Sequence, residues 1–327
     1  MIPAYNAEQW VAQTIQSALN QTWPNKEIIV IDDGSRDGTL NVARTFASRQ
    51  VSVVAQPNQG AAAARNNLLS RAQGDFIQWL DADDLLSADK VATQMEAVEQ
   101  GASNRVLLSS AWGRFRYRTS KAQFVPSGLW GDLAPTEWLI RKLGENLFMQ
   151  TASWLVSREL TNISGPWDTR LLSDDDGEYF CRVLLKSDGV RFVPGGKVFY
   201  RATGSGSLSQ IGISNRKMDT LFLSMELYVK YLRSVEDSER VRATCLRFLQ
   251  RWLFYFYPER SDIVEKMQQL AGSLGGQLEA PRISWKYSWL QKTLGWTAAK
   301  RFQFYYNAVK SSALNSLDKA LYKMGAG

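Results

Sequence analysis

The chain has 327 residues, 45% hydrophobic and 22% charged, with a formal net charge of +7 and no histidine. Those values describe a soluble globular protein long enough for one large core or two modest ones, which excludes disordered, collagenous and disulfide-framed chains. The lack of imidazole also excludes Ser-His-Asp triads and His-ligated zinc, so acid–base work falls to carboxylates and metal binding to oxygen ligands.

From the N-terminus, Ile2-Pro3-Ala4-Tyr5-Asn6 reads as the end of a strand and a loop. Almost no strand precedes it, so a few residues upstream of Met1 are expected in the natural chain. Val11, Ile15, Ala18 and Leu19 have helical spacing. Residues 27–31 form a β-branched run and predict a buried strand. Leu40, Ala43, Phe46 and Ala47 share one helical face, and residues 51–55 predict another strand. Pro57-Asn58-Gln59-Gly60 turns the chain into a helix over 61–72. Residues 76–80 predict a strand, 89–100 a helix and 106–110 a strand. Strands alternating with helices of this length mean an α/β domain with a mostly parallel sheet.

After Ala111 the chain reads as irregular through Tyr200, apart from a strand-like stretch at 152–156. Trp112, Trp130, Trp138, Trp154 and Trp167 in this stretch suit sugar-ring stacking or core packing equally. Gly204-Ser205-Gly206-Ser207-Leu208-Ser209 predicts a loop, and residues 214–274 are mostly helical until Gly272 and Gly276 break the pattern. Three parts are expected: 1–110, 111–213 and a helical extension over 214–327. Cys181 and Cys245 read as free thiols of a reducing compartment. The longest strongly apolar run, residues 252–257, is far short of the ~18 residues of a membrane span, and Met1-Ile2-Pro3 does not open a signal peptide.

The charge is unevenly placed. Residues 281–327 carry eight basic residues and one acidic residue, Asp318, so the first 280 residues are balanced. Nine aromatic residues share that tail.

Four clusters carry candidate chemistry. Asp32-Asp33-Gly34-Ser35 follows a buried strand, where ligands of open α/β sheets bind; the same residues suit a helix-entry turn capped by Ser35 or Asp37. Asp81-Ala82-Asp83-Asp84 ends another strand, and two carboxylates one residue apart can share a divalent cation and a ribose. Gly60-Ala61-Ala62-Ala63-Ala64-Arg65-Asn66 allows close backbone approach beside a cation, or is an alanine-rich helix with a solvated arginine. Asp174-Asp175-Asp176 repel one another, which raises the pKa of at least one and suits a general base; acidic residues also favour a helix N-terminus.

Taken in order with Pro3-Ala4-Tyr5-Asn6 and Gln21-Thr22, these clusters resemble family 2 glycosyltransferases of the GT-A fold over roughly residues 2–200. The resemblance implies a nucleotide-sugar-binding half (1–110), an acceptor and catalytic half (111–213) and a C-terminal mainly helical region. It implies donor contacts from Pro3, Ala4, Tyr5 (stacking on the base), Asn6, Asp33, Arg65, Asp81 and Ala82. Asp83 becomes the metal ligand for Mn²⁺ or Mg²⁺. The family's Glu-Asp base motif reads Asp175-Asp176 here, with Asp174-Asp175 as the other register, so Asp176 is the expected base and Asp175 its neighbour. The implied reaction inverts configuration while moving a sugar from a nucleotide-diphosphate donor, expected to be a UDP-sugar, to a hydroxyl of a glycan or lipid-linked acceptor.

The basic aromatic tail (281–327) suits the cytoplasmic face of a membrane, or a helical subdomain with aromatic core and solvated lysines. Other classes fit less well. A phospho-acceptor receiver is much shorter, a nucleotidyltransferase wants a basic Gly-rich first loop, and a dinucleotide enzyme needs Gly-x-Gly-x-x-Gly. A catalytically silent relative, or a nucleic-acid or membrane binder using the tail, is the alternative; no nucleic-acid partner is expected.

Overall fold

The computed structural model describes residues 1–203 and 214–325. The loop expected at 204–209 lies outside the described residues.

The first third of the chain alternates as its periodicity requires. β1 (Ile2–Ala4), α1 (Val11–Leu19), β2 (Ile28–Asp32), α2 (Thr39–Arg44), β3 (Val51–Ala55), α3 (Ala61–Arg71), β4 (Phe76–Gln78), β5 (Leu85–Leu86) and α4 (Lys90–Glu99) follow one another. Every residue of β2 is buried, as a β-branched central parallel strand demands. β1, β2 and β3 form a parallel sheet in that order, with Ile2 opposite Val30 and Ile28 opposite Val51. α3 packs on β1 and β2, and its buried Ala62 and Ala64 let it lie close.

The second sheet is built from β4, β5, β6 (Val106–Phe115), β7 (Gln123–Phe124), β8 (Leu155–Ser157) and β9 (Gly189–Arg201). Its order is β4-β8-β6-β9-β5, with β7 on the end of β6. Here β6 and β9 run parallel and the other pairings are antiparallel. The parallel expectation therefore describes the first sheet, and the second is mixed. The sheets meet where the Leu80 amide donates to the Met1 carbonyl at 3.0 Å.

The stretch after Ala111 is more regular than its sequence suggests. It holds the last four residues of β6, α5 (Pro135–Glu145), α6 (Arg158–Ser164), α7 (Asp175–Lys186) and the whole of β9. α5 opens on Pro135 at its first turn and ends at left-handed Asn146, and the Ser157 hydroxyl accepts from the Leu160 amide to cap α6. β9 escaped the pattern because Pro194-Gly195-Gly196 bulges out of it. Ser110 pairs with Val193, but the next residue, Ala111, pairs with Lys197. Trp138, Trp154 and Trp167 are at most 2% exposed, which makes them core residues rather than a sugar platform.

Helices complete the chain: α8 (Asn215–Val235), α9 (Glu239–Phe256), α10 (Ser261–Ser273), α11 (Ser288–Leu294) and α12 (Trp296–Lys323). α8 packs on α7, α9 on α5 and α10 on α9, so one continuous apolar core runs from the sheet through α10, with a small separate cluster under α11 and α12. Both cysteines are free, as expected, and both are buried.

Gly196 sits where the bulge meets α4. A Cβ there would lie 2.9 Å from the Cα and carbonyl oxygen of Lys90, and backbone cannot give way as a side-chain tip can. Gly196→Ala is expected to destabilise the fold by ~1–3 kcal/mol, read as a lower urea midpoint with unchanged m-value.

Candidate active site

The loops after β1 and β2 are laced together. The Asn6 amide donates to the Ser35 hydroxyl (3.0 Å), the Arg36 amide to Asn6 Oδ1 (2.8 Å), and the Asp33 amide to the Ala4 carbonyl (2.8 Å). Asn6 takes a positive φ of 48°, which asparagine tolerates better than most residues. This fixes Pro3 and Ala4 on the strand and leaves the Tyr5 ring exposed, in the open position that stacking on a base would need. Asp33 is buried. Its carboxylate accepts from the amides of Gln59 (2.9 Å) and Gly60 (2.8 Å) and from Gln56 Nε2 (2.7 Å). It thus holds the 56–60 turn ahead of α3, and the structure does not bring it into the carboxylate group described next.

That group centres on Arg65. Its guanidinium is buried on α3 and bridges Asp81 at 2.9 Å and Asp175 at 2.5 Å. It also lies over the Trp167 ring, 4.5 Å from the centroid. Asn66, the next residue, holds Trp167 in place by accepting from its amide (2.8 Å) and donating to its carbonyl (2.9 Å). Burial opposes the Arg65 charge, but Asp175, Asp81 and Asp176 outweigh burial and raise its pKa. The carboxyl of Asp175 is pushed up to about 6, chiefly by burial; Arg65 pulls it down, while Asp176 and Asp81 push it up. Three carboxylates face one guanidinium, so the group has an excess of negative charge.

Asp83 is raised to about 6 by burial and by the Asp81 charge, with Arg201 opposing. Arg201, at the end of β9, was not singled out from sequence, because β9 itself was hidden by its bulge. Its guanidinium is held between the rings of Trp10 (4.3 Å) and Phe115 (4.4 Å), and its Nε donates to the Asp83 carbonyl at 2.7 Å. Asp84 is structural. It is fully buried and accepts from the Arg201 amide (2.7 Å) and from Gln150 Nε2 (2.5 Å). The buried Ala82 gives its carbonyl to the Thr14 hydroxyl (2.9 Å). Among the described residues no group of three Asp, Glu, Cys or His side chains could hold an ion by itself. A cation held by Asp81 and Asp83 would have to complete its shell with phosphate oxygens and water.

Asp175 and Asp176 open α7, and Asp174 precedes it with a φ of 57°. The turn separates the roles of the three. Asp174 points into the helical region, where Ser224 donates to it at 3.1 Å. Asp175 meets Arg65. Asp176 Oδ2 accepts from the Thr151 hydroxyl at 2.8 Å. Gly177 follows because a Cβ there would run into the Tyr228 hydroxyl and Asp174 Oδ1. Thr151 had no signal in the sequence; it opens a single 3-10 turn over Thr151–Ser153, and only the fold brings it to α7.

Burial lifts the Asp174 carboxyl to about 6; Lys142 lowers it, Asp176 raises it, and Tyr228 and Ser224 bond to it. A folded-state pKa above the ordinary 3.8 favours the protonated form. The stability this contributes is complete below about pH 4 and is lost as pH rises through about 6. Asp174→Asn keeps the neutral form and suits the left-handed backbone. It is expected to raise the thermal midpoint at pH 7.5, leave it nearly unchanged at pH 4 and flatten the fall between them.

Residues 1–160 match the family described as Glycosyl transferase family 2. An uncharacterized glycosyltransferase of Haemophilus influenzae is 43% identical over 103 residues, 31% of this chain and 41% of that protein. The Escherichia coli protein named UDP-Glc:alpha-D-GlcNAc-diphosphoundecaprenol beta-1,3-glucosyltransferase WfgD is 28% identical over 225 residues, 68% of this chain and 81% of its own. Curated relatives at 40% identity or more are spanned over about two fifths of their length. Among solved structures, S. aureus TarS 1-349 in complex with UDP-GlcNAc has a TM-score of 0.66 at 17% identity, covering 84% of this chain and 80% of that one. At that identity the likeness concerns the fold, which is GT-A with a helical C-terminal region. The family match rests on residues 1–160, just under half of the chain, and the remainder is similar to these proteins in fold.

Proposed function

We propose that the protein is an inverting glycosyltransferase. It moves a sugar from a nucleotide-diphosphate donor, a UDP-sugar, to a hydroxyl of a glycan or lipid-linked acceptor. The observation that carries this reading is the meeting of Asp81 and Asp175 on one buried guanidinium, with Asp176 beside them on the first turn of α7. The likeness to the UDP-GlcNAc complex of TarS and to the glucosyltransferase WfgD, whose name specifies a UDP-Glc donor and a diphosphoundecaprenol-linked acceptor, supports the choice of donor and acceptor class.

The chain's own groups divide the work. Tyr5 offers its ring to the base, and Pro3, Ala4 and Asn6 shape the loop around it. Asp33 acts on the base side by fixing the turn over residues 56–60. Asp81 and Ala82 face the ribose, with Arg65 setting the position of Asp81. Asp83 and Asp81 would hold a divalent cation, which when bound offsets the charge of the departing diphosphate. Asp176 takes the proton from the acceptor hydroxyl, whose oxygen attacks the anomeric carbon opposite the leaving group. Asp175 keeps the head of α7 anchored to Arg65. A single displacement of this kind inverts the anomeric centre.

Asp176→Asn is expected to lower turnover by ~10²–10⁴-fold while the donor still raises the melting temperature. Near-normal turnover of this variant would remove Asp176 from the base role. A panel of nucleotide sugars read by thermal shift should give its largest rise with a UDP-sugar plus Mn²⁺. Asp83→Asn should abolish the Mn²⁺-dependent part of that rise and leave the metal-free part. A rise in the parent protein that is equal with and without Mn²⁺ would remove the cation from the scheme.

A further inference from the structure

We propose that the outward face of α12 lies on the surface of an anionic phospholipid bilayer. The helix has two different sides. Its inner side is fixed to the protein: Lys300 Nζ donates to the carbonyls of Tyr255 (3.0 Å) and Tyr257 (2.8 Å) and pairs with Glu259 (2.7 Å). Further along, Asn315 accepts from Arg116 Nε (2.6 Å) and Asp318 pairs with Arg118 (2.8 Å). On the opposite side, Phe302, Tyr306, Val309, Leu317 and Met324 recur at helical spacing with Ala313 and Ala320 between them. Their exposures run from 44% at Phe302 to 72% at Met324. Isolated exposed apolar residues are ordinary, but a helix-long stripe is not.

The charges around the stripe identify the partner. Arg301, Lys319 and Lys323 flank it on one side and Lys310 on the other, all exposed. Asp318, the sole acidic residue of the last 47, is turned inward and neutralised by Arg118, so the outward side is purely basic. An apolar centre with basic margins matches the boundary between acyl chains and anionic headgroups. A phosphodiester strand would need cations at the centre of the face, where this helix places apolar groups. Tyr287 extends the patch through ring contacts with Phe302 (5.9 Å) and Tyr306 (6.5 Å), next to the exposed rings of Trp285 and Trp289. No helix among the described residues is long and apolar enough to cross a membrane, so the contact lies in the plane of the surface.

The same helix places the candidate site. Tyr322 packs on Tyr117, Tyr117 on Trp10, and Trp10 on the Arg201 guanidinium that bonds the Asp83 carbonyl. The helix proposed to meet the bilayer is thus joined to the Asp83 turn through Tyr322, Tyr117, Trp10 and Arg201.

Co-sedimentation of the full chain with phosphatidylcholine vesicles, with and without phosphatidylglycerol, tests this without donor or acceptor, and so independently of the transfer reaction. Pelleting is expected with the anionic vesicles and should weaken in high salt. Combined Arg301→Glu, Lys310→Glu and Lys323→Glu is expected to reduce partitioning by at least about tenfold. Combined Phe302→Ser, Tyr306→Ser and Val309→Ser should do the same at low salt. These side chains are exposed, and Phe302 and Tyr306 lose only the ring contacts with Tyr287 and with each other, so both variants should keep the parent circular dichroism and stay folded. No pelleting, equal pelleting with both vesicle types, or folded variants that pellet like the parent would overturn the proposal. So would a dimer seen by light scattering without lipid and dispersed by the same serine substitutions.

Discussion

The Arg65 guanidinium is the point on which three separate parts of the chain agree. It rises from α3, reaches Asp81 beyond β4 and Asp175 at the start of α7, and rests on a tryptophan held by its own neighbour Asn66. A buried cation of this kind is tolerated only while its partners stay in place, because either side left alone is an uncompensated charge in a poor solvent. The ion pair therefore acts as a registration device for α3, the Asp81 turn and α7. It also explains the electrostatic character of the surroundings. One cation among several carboxylates leaves the region acidic, and an anionic diphosphate could settle there only with additional positive charge.

The helical region braces the same place from behind. Ser224 and Tyr228 of α8 meet Asp174, the residue that turns the chain into α7. The first turn of that helix is thus held by Arg65 from the sheet side and by α8 from the other. Helices α8, α9 and α10 are continuous with the main core, so they belong to the structure that positions α7. The mixed second sheet contributes through β9, whose far end carries Arg201 to the Asp83 turn.

Much of this was legible before any coordinates. β2 and β3 announce themselves as β-branched runs, α3 as an alanine-rich segment behind a Gly, and the acidic clusters as strand or helix ends. What stayed hidden has physical causes. β9 is interrupted by Pro194-Gly195-Gly196, a bulge that destroys the period-two signal. α5 and α7 are short, and their burial depends on helices that come much later in sequence. Thr151 and Arg201 have ordinary local surroundings; they matter because of which strands the fold sets side by side. The three core tryptophans could not be told from a carbohydrate platform by residue type, since both uses want the same rings. Asp33 shows the reverse: its position was evident from the motif, whereas its engagement with the 56–60 turn came only with the fold.

The Thr151 hydroxyl occupies one oxygen of Asp176 and leaves the other without a hydrogen bond among the described residues. A carboxylate pinned in this way has a front and a back. With Asp176 as the base proposed above, a hydroxyl would surrender its proton along the free edge, so an acceptor would have to enter in one orientation. A single threonine would then take part in choosing which hydroxyl of a multiply hydroxylated sugar is joined.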